Sequence, residues 1–172
     1  MSSPDVRGPS RRAVVVVLAA ALGVGACGFR LRGEASFAFS TVFVSAPGHP
    51  TFATELARAL EASGGAKVTD TAAGAQAVVE ITRVFDDKQV LSLSPGGRVQ
   101  EYMLAKNVVF RVRSNDGREW APPDEITILR TYTYDDSERL AREIQEQRLL
   151  REMQSDAVQQ IVRRLQSVRP PA

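Results

Sequence analysis

The chain has 172 residues, of which 44% are hydrophobic and 24% are charged, which is typical of a single globular domain. The excess positive charge lies in residues 1–26, which hold three arginines and one aspartate, whereas residues 27–172 hold 19 basic and 19 acidic side chains. A nucleic-acid-binding protein needs a net basic surface, so this neutral balance argues against nucleic acid as a partner.

The sequence shows no constellation of residues that is typical of catalysis or of a metal site. One cysteine, Cys27, cannot form an intrachain disulfide or a multi-cysteine zinc site. The one histidine, His49, lies between Gly48 and Pro50 and is interpreted as a solvated loop residue. The acidic pairs Asp86-Asp87 and Asp135-Asp136 are interpreted as bend and cap residues. We therefore expect a protein that is not an enzyme and needs no cofactor.

The N-terminus has the pattern of a secretory signal. Arg11 and Arg12 precede the apolar stretch 13–24, and small residues follow it. Twelve to fourteen helical residues reach only about 20 Å, whereas the hydrocarbon core of a bilayer is about 30 Å thick. A permanent transmembrane helix is therefore the weaker alternative.

The position of Cys27 makes this signal more specific. The sequence Val24-Gly25-Ala26-Cys27 resembles a lipobox, in which the cysteine is acylated and becomes the first residue of the mature protein. The acyl chains would hold the domain on a membrane. Gly28, in place of aspartate, favours the outer membrane by resemblance to lipoprotein sorting. The alternative is an incidental cysteine.

We predict four segments on this basis: a signal peptide over residues 1–26, a lipidated tether over 27–40, a single α+β domain over 41–168 and a tail over 169–172.

The first half of the domain predicts one strand and one helix. Residues 41–45 are β-branched and aromatic, which indicates a strand. Thr51 is predicted to cap a helix that runs to about Ser63 and ends at Gly64-Gly65. Residues 66–70 are expected to pair briefly with a strand.

The second half predicts antiparallel strands and then a long helix. A strand is predicted over 77–85, followed by a bend at Asp86-Asp87 and a continuing strand over 89–94. A turn at 95–97 leads to a strand over 98–113, and a turn at 114–117 precedes a strand over 126–134. A helix follows over about 138–165. The apolar stripe of the helix begins with Leu140 and Ile144. The order predicts an α+β two-layer sandwich, with two helices on one face of a mixed, roughly four-stranded sheet.

Four motifs carry a resemblance to a known family. They are Cys27-Gly28-Phe29-Arg30-Leu31-Arg32, Glu101-Tyr102, Arg130-Thr131-Tyr132 before an acidic pair, and Leu140-Ala141-Arg142 continuing to Leu150-Arg151-Glu152-Met153. In their order and spacing along the mature chain, they resemble the LptE family of lipopolysaccharide-assembly lipoproteins. The resemblance implies two helices against a four-stranded sheet, no catalysis, a position inside the LptD β-barrel and contact with lipopolysaccharide.

The resemblance also implies two basic ligand-binding positions. One lies early in the last helix and corresponds to Arg142. The other lies in the turn before Glu101-Tyr102, where this chain has Pro95, so Arg98 is the candidate that replaces it. The alternative is that both arginines are solvated surface charges, with Arg142 paired to Glu138 or Glu146 along the helix.

Two other functions stay open at this point. A generic periplasmic scaffold lipoprotein would have a different partner and would not associate with a large barrel. A hydrolase would have a cleft of acidic groups with perturbed pKa values.

Overall fold

The computed structural model describes residues 36–134 and 139–170, so Cys27 and the predicted signal lie outside the described residues. The strands are β1 (Thr41–Ser45), β2 (Lys67–Val68), β3 (Ala77–Leu93), β4 (Val99–Ser114) and β5 (Glu119–Thr133), and the helices are α1 (Pro50–Ala62) and α2 (Arg139–Leu165). None of the helices in the described residues is long and apolar enough to cross a lipid bilayer.

The strands form one mixed sheet in the order β2-β1-β3-β4-β5. β1 pairs in parallel with both β2 and β3, whereas β3, β4 and β5 form an antiparallel meander. The predicted α+β class is confirmed. The sheet has five strands rather than about four, because the short segment expected to pair briefly does so with β1 through Lys67 and Val68.

Both helices contribute to a single hydrophobic core. Alternate residues of β4, from Leu104 to Val112, are buried on this face and all but Lys106 are apolar, while α1 contributes Phe52, Leu56 and Leu60. The C-terminal half of α2 adds Met153, Ala157, Ile161 and Leu165, all fully buried. Burial of each large apolar side chain stabilises the fold by about 1.5–3 kcal/mol.

Helix α2 runs antiparallel to β5 for its whole length of 27 residues, or about 40 Å. Its contacts move along the strand from Arg142 on Tyr134, through Glu146 on Tyr132, to Asp156 on Arg130. The expectation that Ile144 begins the apolar stripe is wrong, because Ile144 is 59% exposed. It lies two residues, or about 200° around the helix, from Arg142, which faces the sheet.

Strands β3 and β5 are both longer than the sequence indicated. The predicted bend at Asp86-Asp87 is wrong, since β3 continues through it. Asp86 lies opposite Lys106 of β4, and their side chains form an ion pair of 2.5 Å. β5 begins at Glu119 and includes Pro122 and Pro123, which an edge strand tolerates because one side of its backbone needs no partner.

The two predicted hairpin turns are confirmed, and they share one geometry. In each, a glycine N–H donates to a serine carbonyl three residues earlier, from Gly97 to Ser94 (2.9 Å) and from Gly117 to Ser114 (3.0 Å). Gly97 and Gly117 have φ values of +75° and +91°. A residue with a side chain is strained in this conformation, so both positions favour glycine.

The start of α1 differs from the prediction. The helix begins at Pro50, so Thr51 is its second residue and not its cap. His49 occupies the cap position without a side-chain hydrogen bond to the helix. Proline suits the first helical position because its missing N–H would have no helical partner there. The predicted end is confirmed, since Gly64 with φ +74° follows the last turn.

Candidate functional site

The hairpin of β3 and β4 has two ends with different surroundings. At the end that we call proximal, Ala77 of β3 lies opposite Ser114, and β1 pairs with the same part of β3. At the distal end, Leu93 lies opposite Val99, next to the β3–β4 turn. In the described residues, α2 is the helix that contacts the distal end, through its N-terminal half. The candidate site lies at this end.

Three tyrosines form an aromatic cluster at the distal end. Tyr102 of β4 lies directly opposite Tyr132 of β5, and their ring centroids are 5.8 Å apart. Tyr134 follows β5 and donates its N–H to the Gln100 carbonyl (2.7 Å), which places its ring edge-on to Tyr102 at 5.1 Å. We call Tyr102, Tyr132 and Tyr134 the tyrosine cluster. Such stacked and edge-on pairs stabilise the aromatic rings in one arrangement.

A lysine and a glutamate join the tyrosine cluster to α2. Lys88 of β3 lies with its Nζ 4.3 Å from the centre of the Tyr102 ring and 2.5 Å from Oε2 of Glu146. The Tyr132 hydroxyl donates to the same Oε2 (2.6 Å). One carboxylate of α2 therefore binds groups from two strands.

The pKa values of this group follow from its partial burial and its hydrogen bonds. Burial acts to raise the pKa of Glu146, but the hydrogen bonds from Lys88 and Tyr132 outweigh it and the pKa is lowered. Burial acts to lower the pKa of Lys88, but its hydrogen bonds and charge interactions with Glu146 and Tyr132 together outweigh it and the pKa is raised. Burial and the hydrogen bond to Glu146 both raise the pKa of Tyr132. At neutral pH the glutamate and the lysine are therefore an ion pair and the tyrosine is neutral.

Arg142 lies one helical turn before Glu146, against the tyrosine cluster. Its guanidinium carbon is 4.1 Å from the centre of the Tyr134 ring, in a cation–π contact. The residue is 7% exposed, so it is not a solvated surface charge. Neither Nε nor Nη2 has a hydrogen-bond partner among the described residues, although both are buried. Glu146 is bound by Lys88 and Tyr132 instead, whereas Glu138 lies outside the described residues.

Unpaired donors in a buried guanidinium are unfavourable. A buried polar group without a partner costs about 1–3 kcal/mol, and a charged group costs more. An anion that bound to Nε and Nη2 would remove this cost, because a guanidinium binds phosphate or carboxylate through paired hydrogen bonds.

The second candidate, Arg98, lies on a groove at the same end. The groove has a volume of about 820 Å³ and is lined by Ser94, Arg98, Val99, Gln100, Glu101, Tyr102, Thr133 and Tyr134. Arg98 is exposed and makes no ion pair within residues 36–134 and 139–170. Tyr134 contacts Arg142 and also lines the groove, so it connects the two predicted positions. Glu101, whose carboxylate accepts from the Ser92 hydroxyl (2.7 Å), adds one negative charge to the groove.

The sequence predicted Arg142 and Arg98 as ligand-binding residues, which stays a prediction, and it indicated neither Lys88 nor its pairing with Glu146. The sequence indicates this ion pair only weakly, since Lys88 lies 58 residues before Glu146 in the chain. The alternation of β3 was the available signal, because Asp86, Lys88 and Val90 share one face of the strand.

The described part of the chain gives no sign of a metal centre. No group of three or more His, Cys, Asp or Glu residues in it is placed to hold a metal ion. His49 lies at the start of α1, beyond the end of β1 where Ser45 lies beside Glu80 of β3.

Comparisons with known proteins place this geometry in context. A family model described as "LptE: Lipopolysaccharide-assembly" matches residues 39–165. No curated protein sequence matches the chain.

Two solved structures are similar in sequence as well as fold. An uncharacterized lipoprotein B from Nitrosomonas europaea is 35% identical, with a TM-score of 0.72, over 81% of this chain and 91% of that one. The rare lipoprotein B of Shewanella oneidensis is 27% identical, with a TM-score of 0.65, over 74% and 95%. A minor lipoprotein from Acinetobacter baumannii, 21% identical with a TM-score of 0.65 over 79% and 98%, shares the fold.

Proposed function

Because the chain belongs to the LptE family of lipopolysaccharide-assembly lipoproteins, we propose that it binds lipopolysaccharide at the distal end while it fills and helps to assemble an LptD-like outer-membrane β-barrel. In this role the protein catalyses no reaction. It acts by binding, and the membrane holds it through a lipid on Cys27.

The observation that carries the ligand proposal is the buried, unpaired guanidinium of Arg142. Lipopolysaccharide is a phosphorylated glycolipid, and its phosphates are the type of anion that pairs with Nε and Nη2. Arg98 adds a second, exposed cation on the groove that Tyr134 lines. The rings of Tyr102 and Tyr134 line this groove and offer flat apolar surface beside Arg98.

Ligand binding at Arg142 requires a movement, because Nε and Nη2 are covered. Tyr134 is the described residue that lies between this guanidinium and the groove. We propose that its side chain turns aside when a phosphate binds, and that the phosphate replaces the cation–π contact. A phosphate bound to both Nε and Nη2 forms two charge-assisted hydrogen bonds of about 1.5–3 kcal/mol each, which outweigh one buried cation–π contact of about 2 kcal/mol, so this exchange is favourable.

A binding experiment tests the ligand proposal. Binding of purified lipopolysaccharide to the full chain in detergent is measured for the wild type, Arg142→Ala and Arg98→Ala. Arg148→Ala is the control, since it removes the same charge from an exposed position on α2 where Arg148 pairs only with Glu152 among described residues. Loss of a charge-assisted contact weakens binding about 10- to 150-fold for Arg142→Ala, less for Arg98→Ala and hardly at all for the control. Equal binding by all four proteins contradicts the ligand proposal.

The proposed location depends on Cys27. We expect Cys27→Ser to give an unlipidated precursor that does not reach the outer membrane, because no acyl chain is attached to hold it there. Metabolic labelling with a fatty acid followed by membrane fractionation checks this. Equal label in wild type and variant contradicts a lipid on Cys27.

The proposed barrel partner agrees with the charge of the domain. The interior of an outer-membrane barrel is polar, and a chain with equal numbers of acidic and basic side chains after residue 26 suits a polar interior. We expect the tagged protein to be purified from gently solubilised membranes as a stoichiometric complex with a large β-barrel. A native gel that shows only the monomer contradicts this part of the proposal.

A further inference from the structure

Arg142 and Glu146 are spaced to pair with each other, yet the structure does not pair them. Residues four apart on a helix lie on one face, where arginine and glutamate ordinarily form an ion pair. Here Oε2 of Glu146 binds Lys88 Nζ at 2.5 Å and the Tyr132 hydroxyl at 2.6 Å. Nε and Nη2 of Arg142 have no partner among the described residues.

We propose that Lys88 is a positioning residue that neutralises Glu146 and thereby keeps the Arg142 guanidinium free to bind an anion. Lys88 acts through Glu146 and does not contact the ligand. The link to lipopolysaccharide rests on the proposed function, whereas the effect of Lys88 on Arg142 does not.

The geometry explains why Lys88 and not Arg142 pairs with the glutamate. Lys88 is fixed from the side of the sheet, since its Nζ also lies 4.3 Å from the Tyr102 ring centre and 5.6 Å from that of Tyr132. Both cation–π contacts hold the ammonium where the carboxylate meets it. Arg142 is held one turn away by its contact with Tyr134 at 4.1 Å.

Removal of Lys88 leaves Glu146 without its cationic partner. Glu146 is partly buried, and without Lys88 it keeps only the neutral Tyr132 hydroxyl as a partner among described residues. An uncompensated carboxylate attracts a nearby cation, and Arg142 lies four residues away on the same face of α2. Arg142 would turn toward Glu146, and its donors would no longer be free.

A set of variants of the full chain in detergent separates this mechanism from simple loss of charge. With purified lipopolysaccharide as the probe, Lys88→Met weakens binding about tenfold, as expected when one charge-assisted contact is blocked. Glu146→Gln alone changes binding less than about twofold, and Lys88→Met with Glu146→Gln restores it to near the wild-type value. If only net charge matters, Glu146→Gln strengthens binding by the same factor in both backgrounds, and that result overturns the proposal.

A readout without ligand makes the two proposals distinguishable. The NMR signal of the Arg142 side-chain Nε–H, assigned by its loss in Arg142→Ala, shifts and exchanges more slowly in Lys88→Met because it then donates to Glu146. It returns to its wild-type position in the double variant. An unchanged signal in Lys88→Met overturns the inference. A shifted signal together with unaltered lipopolysaccharide binding by Arg142→Ala supports the role of Lys88 and contradicts the proposed ligand.

Discussion

The two ends of α2 contact the same sheet through different chemistry. At the proximal end the fully buried contacts are apolar, at Met153, Ala157, Ile161 and Leu165, and ion pairs of Asp156 and Arg164 with β5 lie exposed beside them. At the distal end the contacts are a cation–π pair at Arg142 and a shared carboxylate at Glu146. Apolar burial is non-directional and contributes most of the stability of a fold. Polar contacts contribute less but fix specific atoms in place, which suits the proposed binding of a ligand at the distal end.

The two ends of α2 are expected to differ in how readily they open. Segments with few buried apolar contacts open locally at a lower free-energy cost than the core does. The exposed Ile144 shows that the distal half of α2 buries little apolar surface on that side. We therefore expect the distal end to open at a lower free-energy cost than the proximal core, as the proposed binding at the covered guanidinium of Arg142 requires.

The largest expected effect is on the proximal core. Ile161→Ala should lower the free energy of unfolding by about 2–5 kcal/mol, because it leaves a cavity at a fully buried position. The matched control is Ile144→Ala on the same helix, which should change it by about 0.5 kcal/mol or less. Denaturant titration measures both. Similar losses in the two variants would show that the ends do not differ as described.

A second prediction concerns the ion pair between the two ends. Lys106 is 3% exposed and its ammonium binds Asp86, which is largely solvated. Asp86→Ala should cost about 1–3 kcal/mol because it leaves a buried charge without its partner. Lys106→Met should cost less, since it removes that charge and water solvates the remaining carboxylate. If Lys106→Met is the more damaging variant in denaturant titrations, the ammonium contributes more than this argument allows.

The smallest of these effects is expected at Glu146. Its pKa is lowered in the folded protein, so its contribution to stability is fully present above the ordinary value of 4.5 and is lost as the pH falls through the lower folded value. Glu146→Gln should lower the free energy of unfolding at pH 6 by under about 1 kcal/mol, because the group is partly exposed.

Denaturant titrations between pH 3 and pH 6 check this, and the difference between wild type and Glu146→Gln should shrink toward pH 3. Glu152→Gln removes the same charge from an exposed pair and is the control. A difference at Glu146 that grows as the pH falls would contradict the ion pair with Lys88.

Local patterns in the sequence predicted most of the fold. Alternation along β4 separates Val108, Phe110 and Val112 from their neighbours, and the glycines at 97 and 117 mark both hairpin turns. The predictions failed where a partner lies far along the chain. Asp86 continues a strand because Lys106 lies opposite it, 20 residues away. Ile144 is exposed because the face of α2 toward the sheet is polar at that point.

The candidate ligand-binding residues were predicted from a family resemblance, whereas the fold was predicted from local patterns. Arg142 and Arg98 followed from a family resemblance, and the structure places both at the distal end. Neither the burial of Arg142 nor the pairing of Lys88 with Glu146 could follow from local sequence, since each depends on the packing of α2 against three strands. Such contacts become visible only once the register of the sheet is known.

Hydrogen exchange with and without lipopolysaccharide tests most directly whether the ligand binds at the distal end and not at the apolar half of α2. Amide exchange of the full chain is followed by mass spectrometry in detergent, with and without purified lipopolysaccharide. If the ligand binds at the distal end, it slows exchange in residues 98–102 and 142–150. Exchange in residues 153–165, in the apolar half of α2, stays unchanged. Slowed exchange confined to residues 153–165, or no change anywhere, would contradict the assignment of ligand binding to the distal end.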